Sequence, residues 1–194
     1  MKGLLLKDWY VLWGGAKRLL FLIALYIVIG EFSAGIGSVG VLLCAMLPTS
    51  CMAYDERSRW DRCALSMPLS AKDLVVSKYL LGYLALLAGA ALKLTVMLLP
   101  FGEGGDPASL ALLLAATLLY IAVQFPILFK FGIESGRIWM MLLTAVFAIG
   151  VVSLGTAASM DVDLSKLPYL ALAAAIVLQL PSIYLAVKLR AKRA

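Results

Sequence analysis

The residues of this chain equipped for chemistry fall mostly in one block, Tyr54-Asp-Glu-Arg-Ser-Arg-Trp-Asp-Arg62, followed by Ser66-Met-Pro-Leu-Ser70-Ala-Lys-Asp-Leu-Val-Val-Ser-Lys78. Their chemistry is that of binding: Asp55, Glu56, Arg57, Arg59, Asp61 and Arg62 crowd charges of both signs around Trp60, a surface on which a soluble partner could push. Nothing catalytic accompanies them. The chain has no histidine, and Cys44, Cys51 and Cys63 form no pair at metal-ligand spacing, so no transition-metal site is expected. An odd set of cysteines, two of them in an apolar stretch, points to free thiols. The sequence lacks a Gly-x-x-x-x-Gly-Lys-Ser/Thr loop, so it is not expected to bind ATP in that manner or to be an enzyme. Gly102-Glu-Gly-Gly105, between Pro100 and Pro107, reads as a turn.

The elements that position this block are apolar. The chain is 63% hydrophobic and 14% charged over 194 residues, the composition of an all-α polytopic membrane protein. Six transmembrane helices are predicted, roughly Leu19 to Ile36, Gly37 to Tyr54, Tyr79 to Leu99, Leu110 to Phe129, Ile138 to Ser159 and Pro168 to Val187. These runs are apolar on every face, unlike the alternating strands of a barrel. The longest polar stretch, Asp55 to Lys78, is shorter than the ~50 residues a small domain needs, so residues 1–194 read as one membrane domain.

Basic residues set the orientation. With both termini cytoplasmic, 15 of the 17 Lys and Arg lie on the inner side, while the outer connections carry Glu31, Glu103, Asp106, Asp161 and Asp163 against Lys166. The net charge of +6 is then a topology signal directed at anionic lipid heads, and nucleic acid is not an expected partner. The first 18 residues lack the apolar core and small-residue cleavage site of a signal peptide and are expected to be retained. On a helical wheel Leu5, Leu6, Trp9, Leu12 and Trp13 share a face with Lys7 and Asp8 away from it, as in an amphipathic interfacial helix, and Gly14-Gly15 bends the chain into the first span. A plain cytoplasmic extension of that span is the simpler alternative.

Within the charged segment, 55–78, Trp60, Cys63, Ala64 and Met67 give a short helix one apolar face; Asp55, Glu56 and Arg57 crowd its start and Pro68 ends it. Ser70-Ala-Lys-Asp73 matches a capping box, so a new helix starts at Ala71 and runs to Leu99, about 43 Å at 1.5 Å per residue. That exceeds the ~30 Å hydrocarbon core, so its first turns project from the membrane. A short helix abutting a long lever is the geometry that turns a push at Arg57 to Arg62 into tilt of the third span; a loop of anchoring charges is the alternative. Lys93 is the one charge well inside a span, and Glu31 closes the outer end of the first; both are candidates for a substrate path, with snorkelling to the surface the competing reading for Lys93. Pro48, Pro126 and Pro181 permit kinks, and Gly82, Ala85, Gly89 and Ala90, like Ala171, Ala174 and Ala175, permit close helix packing.

The stretch Tyr54 to Gly82, the stretch Phe125-Pro-Ile-Leu-Phe-Lys-Phe-Gly-Ile-Glu-Ser-Gly-Arg-Ile138 and the opening Met1-Lys-Gly-Leu-Leu-Leu-Lys-Asp-Trp-Tyr10 resemble a family of small permease subunits of ABC-2-type ATP-binding-cassette exporters, common in Gram-positive bacteria. That family more often has an aromatic residue near Cys63 and a basic one near Ala71. The resemblance implies a six-helix half-transporter in a bacterial plasma membrane that dimerises with itself or a paralogue. It further implies docking of two separately encoded ATPase subunits, which bind the ATP and Mg, so that this chain carries no cofactor. Asp55 to Arg62 would be the coupling helix, Met1 to Arg18 the elbow helix, and Lys130 to Arg137, with Gly132 and Glu134, a second cytoplasmic contact; Lys130 and Arg137 equally suit snorkelling to lipid heads. Apolar spans fit a lipid, an amphipathic peptide or a hydrophobic drug as cargo. A non-transporting interaction or immunity protein using the same loop is the rival reading. A secondary transporter would require paired mid-membrane polar groups and an internal repeat, and the sequence shows neither.

Overall fold

Apolar segments without water must satisfy their backbone groups internally, and the chain does so with helices. The computed structural model describes residues 2–15, 17–30, 36–65, 70–97, 107–158 and 167–191. They form α1 (Lys2–Gly15), α2 (Lys17–Gly30), α3 (Ile36–Cys44), α4 (Leu47–Arg57), α5 (Trp60–Leu65), α6 (Ala71–Met97), α7 (Pro107–Phe131), α8 (Ile133–Ala158) and α9 (Leu167–Ala191), with no strand among the described residues. Among the described residues three helices are long and apolar enough to cross a membrane, over Lys72–Val96, Leu110–Phe131 and Pro168–Arg190; α8 contains a shorter apolar stretch, Ile138–Gly150.

The two amino-terminal spans differ from the continuous helices the hydropathy predicts. Helix α2 has 14 residues, about 21 Å, and the outer end of the predicted first span lies outside the described residues. The second span is two pieces: α3 stops at Cys44, and α4 restarts at Leu47 with Pro48 in its first turn, where a missing N–H is harmless. Pro48 thus marks a break in the helix. Pro126 and Pro181, by contrast, lie inside the continuous helices α7 and α9.

The bundle is organised around α7 and α9, its most extensive helix pair, with α6 against both. Leu42, Tyr79, Tyr120, Ile121, Phe125 and Leu128 form the main buried cluster, in which Tyr79 meets Phe125 edge-on at 4.6 Å between ring centroids. Polar rungs cross this apolar interior. The Tyr79 hydroxyl is 2.6 Å from Ser182 Oγ, which itself donates to the Ala122 carbonyl at 2.7 Å. Tyr83 donates to Gln179 Oε1 at 3.0 Å, and Gln179 Nε2 to the Leu118 carbonyl at 2.7 Å. Each rung joins α6, α9 and α7. Small residues act in packing: a Cβ on Gly82 would meet Phe125 at 3.3 Å and Pro48 at 3.5 Å, and one on Gly89 would meet Cys44 Sγ at 2.7 Å.

Two local predictions need correction. Asp55, Glu56 and Arg57 do not open the short helix; they close α4, and the chain turns at Ser58 and Arg59 before α5. On α1, Leu4, Asp8 and Leu12, at i, i+4 and i+8, are buried, while Leu6, Trp9, Tyr10 and Trp13 are exposed, so Leu12 parts from the face on which the wheel places it with Leu6, Trp9 and Trp13. Asp8 turns inward because its counter-charges are there.

Candidate functional site

Helix α4 delivers the site. Leu47, Pro48, Thr49 and Cys51 bury one side of its first turns, which carries the polar end, Asp55-Glu56-Arg57, out of the apolar bundle. The Ser58 N–H donates to the Tyr54 carbonyl at 2.9 Å and the Arg59 N–H to the Glu56 carbonyl at 3.2 Å, closing the last turn. Arg59 takes φ 53°, a left-handed conformation usually given to glycine after a helix end, and so swings the chain sharply into α5. On the far side of this corner Ser70 and Asp73 form the expected capping box: the Asp73 N–H donates to Ser70 Oγ and the Ser70 N–H to Asp73 Oδ2, each at 3.2 Å. Helix α6 therefore starts at Ala71, as its sequence predicts.

Four charges from three elements meet beneath the corner. Lys78 of α6 donates to Asp8 Oδ1 at 2.7 Å and Oδ2 at 2.9 Å, and to Asp55 Oδ2 at 2.7 Å. Lys7 completes the set, 2.6 Å from Asp55 Oδ1 and 3.2 Å from Asp8 Oδ1. The cluster is neutral overall, and its centre is dry, with Asp8 1% and Lys78 7% exposed. Buried charges persist only when paired and hydrogen-bonded, which holds here for all three ammonium protons of Lys78. Cys51 Sγ adds a 3.7 Å contact to the Asp8 carbonyl, and the Lys7 ammonium lies 4.6 Å from the centroid of the Trp60 ring. Helix α1 is thereby fastened to α6 by the Asp8 carboxylate, to α4 by Lys7 and the Asp8 carbonyl, and to α5 by Lys7 over Trp60.

The next residue along α4 reaches a different helix. Glu56 Oε2 accepts the Ile133 N–H at 2.8 Å across 77 positions of sequence, capping the amino end of α8. Gly132 makes that approach possible, since at φ 79° it reverses the chain between α7 and α8. Between these contacts lies a cavity of about 120 Å³. Its apolar floor includes Met52, Leu74, Leu128 and Phe129; its polar wall includes Asp55, Glu56, Trp60 and Lys78, with Arg190 of α9 at the edge. The Trp60 Nε1–H is buried without a hydrogen-bond partner. Among the described residues no three of His, Cys, Asp and Glu converge as a metal site requires.

A family model described as ABC-2 family transporter protein matches residues 3–189, almost the whole chain. The chain belongs to the ABC-2 transporter family. No curated protein and no solved structure matches it. An ABC-2 protein of this kind is a membrane transport component and not itself the ATPase.

In this ABC-2 protein the residues singled out in sequence fall into four groups. Asp55, Glu56, Trp60 and Gly132 converge on the cavity, while Arg57 and Arg59 are exposed on the corner. Lys130 is exposed, its ammonium 5.0 Å from the Phe131 ring centroid. The backbones of Asp61, Arg62, Glu134 and Arg137 belong to α5 and α8, and their side chains lie outside the described residues, as does Glu31 entirely. Lys93 is buried on α6, fifteen residues or about 22 Å beyond Lys78 and so apart from the junction. Lys7, Asp8, Lys78 and Arg190 were not foreseen in this role. The signal for Asp8 was present: it is an acid midway between Leu4 and Leu12 on one helical face.

Proposed function

We propose that this chain is the six-span permease subunit of an ABC-2 exporter, a single membrane domain driven by separately encoded ATPase subunits that hold ATP and Mg. It pairs with itself or a paralogue in a bacterial plasma membrane, with both termini cytoplasmic and α5 facing the ATPase. Its cargo is hydrophobic or amphipathic: a lipid, a peptide or a drug.

One observation carries this reading. The corner formed by α4 and α5 is bound through Asp55 to Lys78, at the foot of a 27-residue helix about 40 Å long that is apolar enough to span a membrane. Displacement of the corner is therefore passed to a lever and not absorbed by a loose loop. The surface for an ATPase comprises Asp61 and Arg62 with exposed Arg57 and Arg59, and Lys130, Glu134 and Arg137 form the second contact.

The test is purification of the tagged chain from its native host in nanodiscs, with co-eluting proteins identified and ATP hydrolysis measured. A stoichiometric ATPase, lost on Trp60→Ala with Arg62→Glu while the permease stays inserted, is the expected result. A folded chain that elutes without an ATPase, or a double variant with undiminished ATPase stimulation, refutes the proposal.

A further inference from the structure

Helix α7 carries a proline in its interior, and α9 repairs what the proline breaks. Pro126 has no N–H, so the Ala122 carbonyl, four residues earlier, loses its helical donor. Ser182 Oγ donates to that same carbonyl at 2.7 Å. A membrane helix keeps such a proline where a neighbour satisfies the freed group, and here the neighbour is one buried hydroxyl. Ser182 gives its single proton to the carbonyl, so the Tyr79 hydroxyl, 2.6 Å away, must donate to Ser182. Tyr79 directly follows Lys78 on α6, whose ammonium is held by Asp8 and Asp55. We infer that Ser182 and Tyr79 latch a proline hinge in α7: while Lys78 keeps α6 seated in the four-charge junction the hydroxyl caps the gap, and when α6 withdraws the cap loosens and the end of α7 after Pro126 bends.

The same helix clamps α7 at the proline by ring contact. The Tyr79 ring meets Phe125, the residue before Pro126, edge-on at 4.6 Å, and a Cβ on Gly82, one turn along α6, would meet the Phe125 ring at 3.3 Å. Withdrawal of α6 therefore removes a hydrogen bond and a packing surface together. Beyond the clamp there is room to move: the cavity of about 120 Å³ is bordered by Leu128 and Phe129 of the hinged end and by Met52 and Leu74 of α4 and α6. A close-packed interior resists displacement, and a void beside the moving segment removes that resistance. Lys130 lies eight residues after Ala122, about 12 Å along the helix, so a proline kink of about 20° carries it about 4 Å.

The latch is a property of the isolated chain in nanodiscs, so its test needs no ATPase and its failure leaves the transporter reading untouched. Spin labels at Lys130→Cys on α7 and Lys188→Cys on α9, in a Cys63→Ser chain, report the position of the hinged end. Ser182→Ala and Tyr79→Phe are expected to shift or broaden the label spacing by about 4 Å. Lys78→Met with Asp8→Asn, which empties the latch side of the junction yet leaves the neutral Lys7–Asp55 pair, is expected to do the same from a distance. Pro126→Ala returns an N–H to the Ala122 carbonyl and should abolish the change in all three. A second measurement separates a hinge cap from an ordinary polar rung. In a Tyr79→Phe chain, where no phenol is orphaned, Ser182→Ala is expected to raise the unfolding constant about fivefold with Pro126 present and less than twofold with Pro126→Ala. Equal penalties in the two backgrounds make Ser182 a packing hydroxyl and overturn the inference. So does a label spacing that Ser182→Ala and Tyr79→Phe leave unchanged, or a change that persists with Pro126→Ala. A spacing that responds to those two variants but not to the folded junction variant overturns the link to Lys78.

Discussion

Lys78→Met is the most demanding test of the junction, because it removes one charge and little volume from its centre. The Lys78 side chain is 9% exposed and its ammonium lies 2.7 Å from Asp8 and 2.7 Å from Asp55. Without it, two carboxylates share Lys7, and the neutral cluster becomes a buried site with one excess negative charge. Removing one partner of a buried ion pair costs about 3–5 kcal/mol. The lower end applies here, since Lys7 still reaches Asp55 at 2.6 Å and Asp8 at 3.2 Å. About 3 kcal/mol is therefore expected from equilibrium unfolding in bicelles. Asp8→Asn in the same chain restores neutrality, leaving the Lys7–Asp55 pair, and recovers about 2 kcal/mol of that loss as coupling energy. A loss under about 1 kcal/mol for Lys78→Met, or a double variant whose loss is the sum of the singles, refutes the claim that this cluster works as a buried unit.

Four smaller perturbations examine the parts around it. Ser70→Ala deletes the capping box and is expected to speed amide exchange in the first turn of α6 about fivefold, with α9 unchanged. Arg59→Gly relieves the positive φ and raises stability by about 0.5–1 kcal/mol, the left-handed cost less the added freedom of the unfolded chain; the same variant weakens ATPase docking, read as affinity in nanodiscs. Gly89→Ala drives a methyl into Cys44 and costs about 1–3 kcal/mol in unfolding assays, most of it returned by adding Cys44→Ala. Glu56→Ala frees the Ile133 N–H and should raise exchange at the start of α8 by about tenfold, while Glu56→Gln, which keeps an acceptor, raises it less.

The sequence disclosed what depends on neighbours and withheld what depends on partners. Ser70, Asp73 and Pro48 act within three or four residues of themselves, so the start of α6 and a breaking point in the second span were legible from local chemistry. Gly82 and Gly89 were legible as close-packing sites but not in their partners, Phe125, Pro48 and Cys44, which come from other helices. On α1 the helical wheel groups Leu12 with Trp9 and Trp13, but Leu12 is buried and both tryptophans are exposed. In a membrane protein an aromatic residue gains as much from lipid as from the bundle, and the better guide is the acid that cannot face lipid at all. Asp8 is that residue. The link from Glu56 to Ile133 spans 77 positions and involves a backbone donor, so no side-chain pattern announces it. Lys93 looked like an isolated membrane charge; in the bundle its side chain is buried on α6.

The adjacency of Asp55 and Glu56 gives the corner its mechanical character. Successive residues on a helix point about 100° apart, so one carboxylate engages α6 and α1 while its neighbour engages α8, and a displacement of α5 loads both routes. The routes differ in strength. Asp55 acts within a four-charge cluster whose disruption costs several kcal/mol, whereas Glu56 meets α8 through a charge-assisted hydrogen bond of roughly 1.5–3 kcal/mol. Under load the α8 contact yields before the α6 contact. Helix α6 is in turn tied to α9 by Tyr79 to Ser182 and Tyr83 to Gln179, and through them to α7. A push on the corner is therefore expected to reach α6, α9 and α7 through these bonds, and α8 by two routes, through Glu56 and through α7, where Tyr120 Oη lies 2.9 Å from Thr144 Oγ1 and its ring meets Phe147 at 5.5 Å.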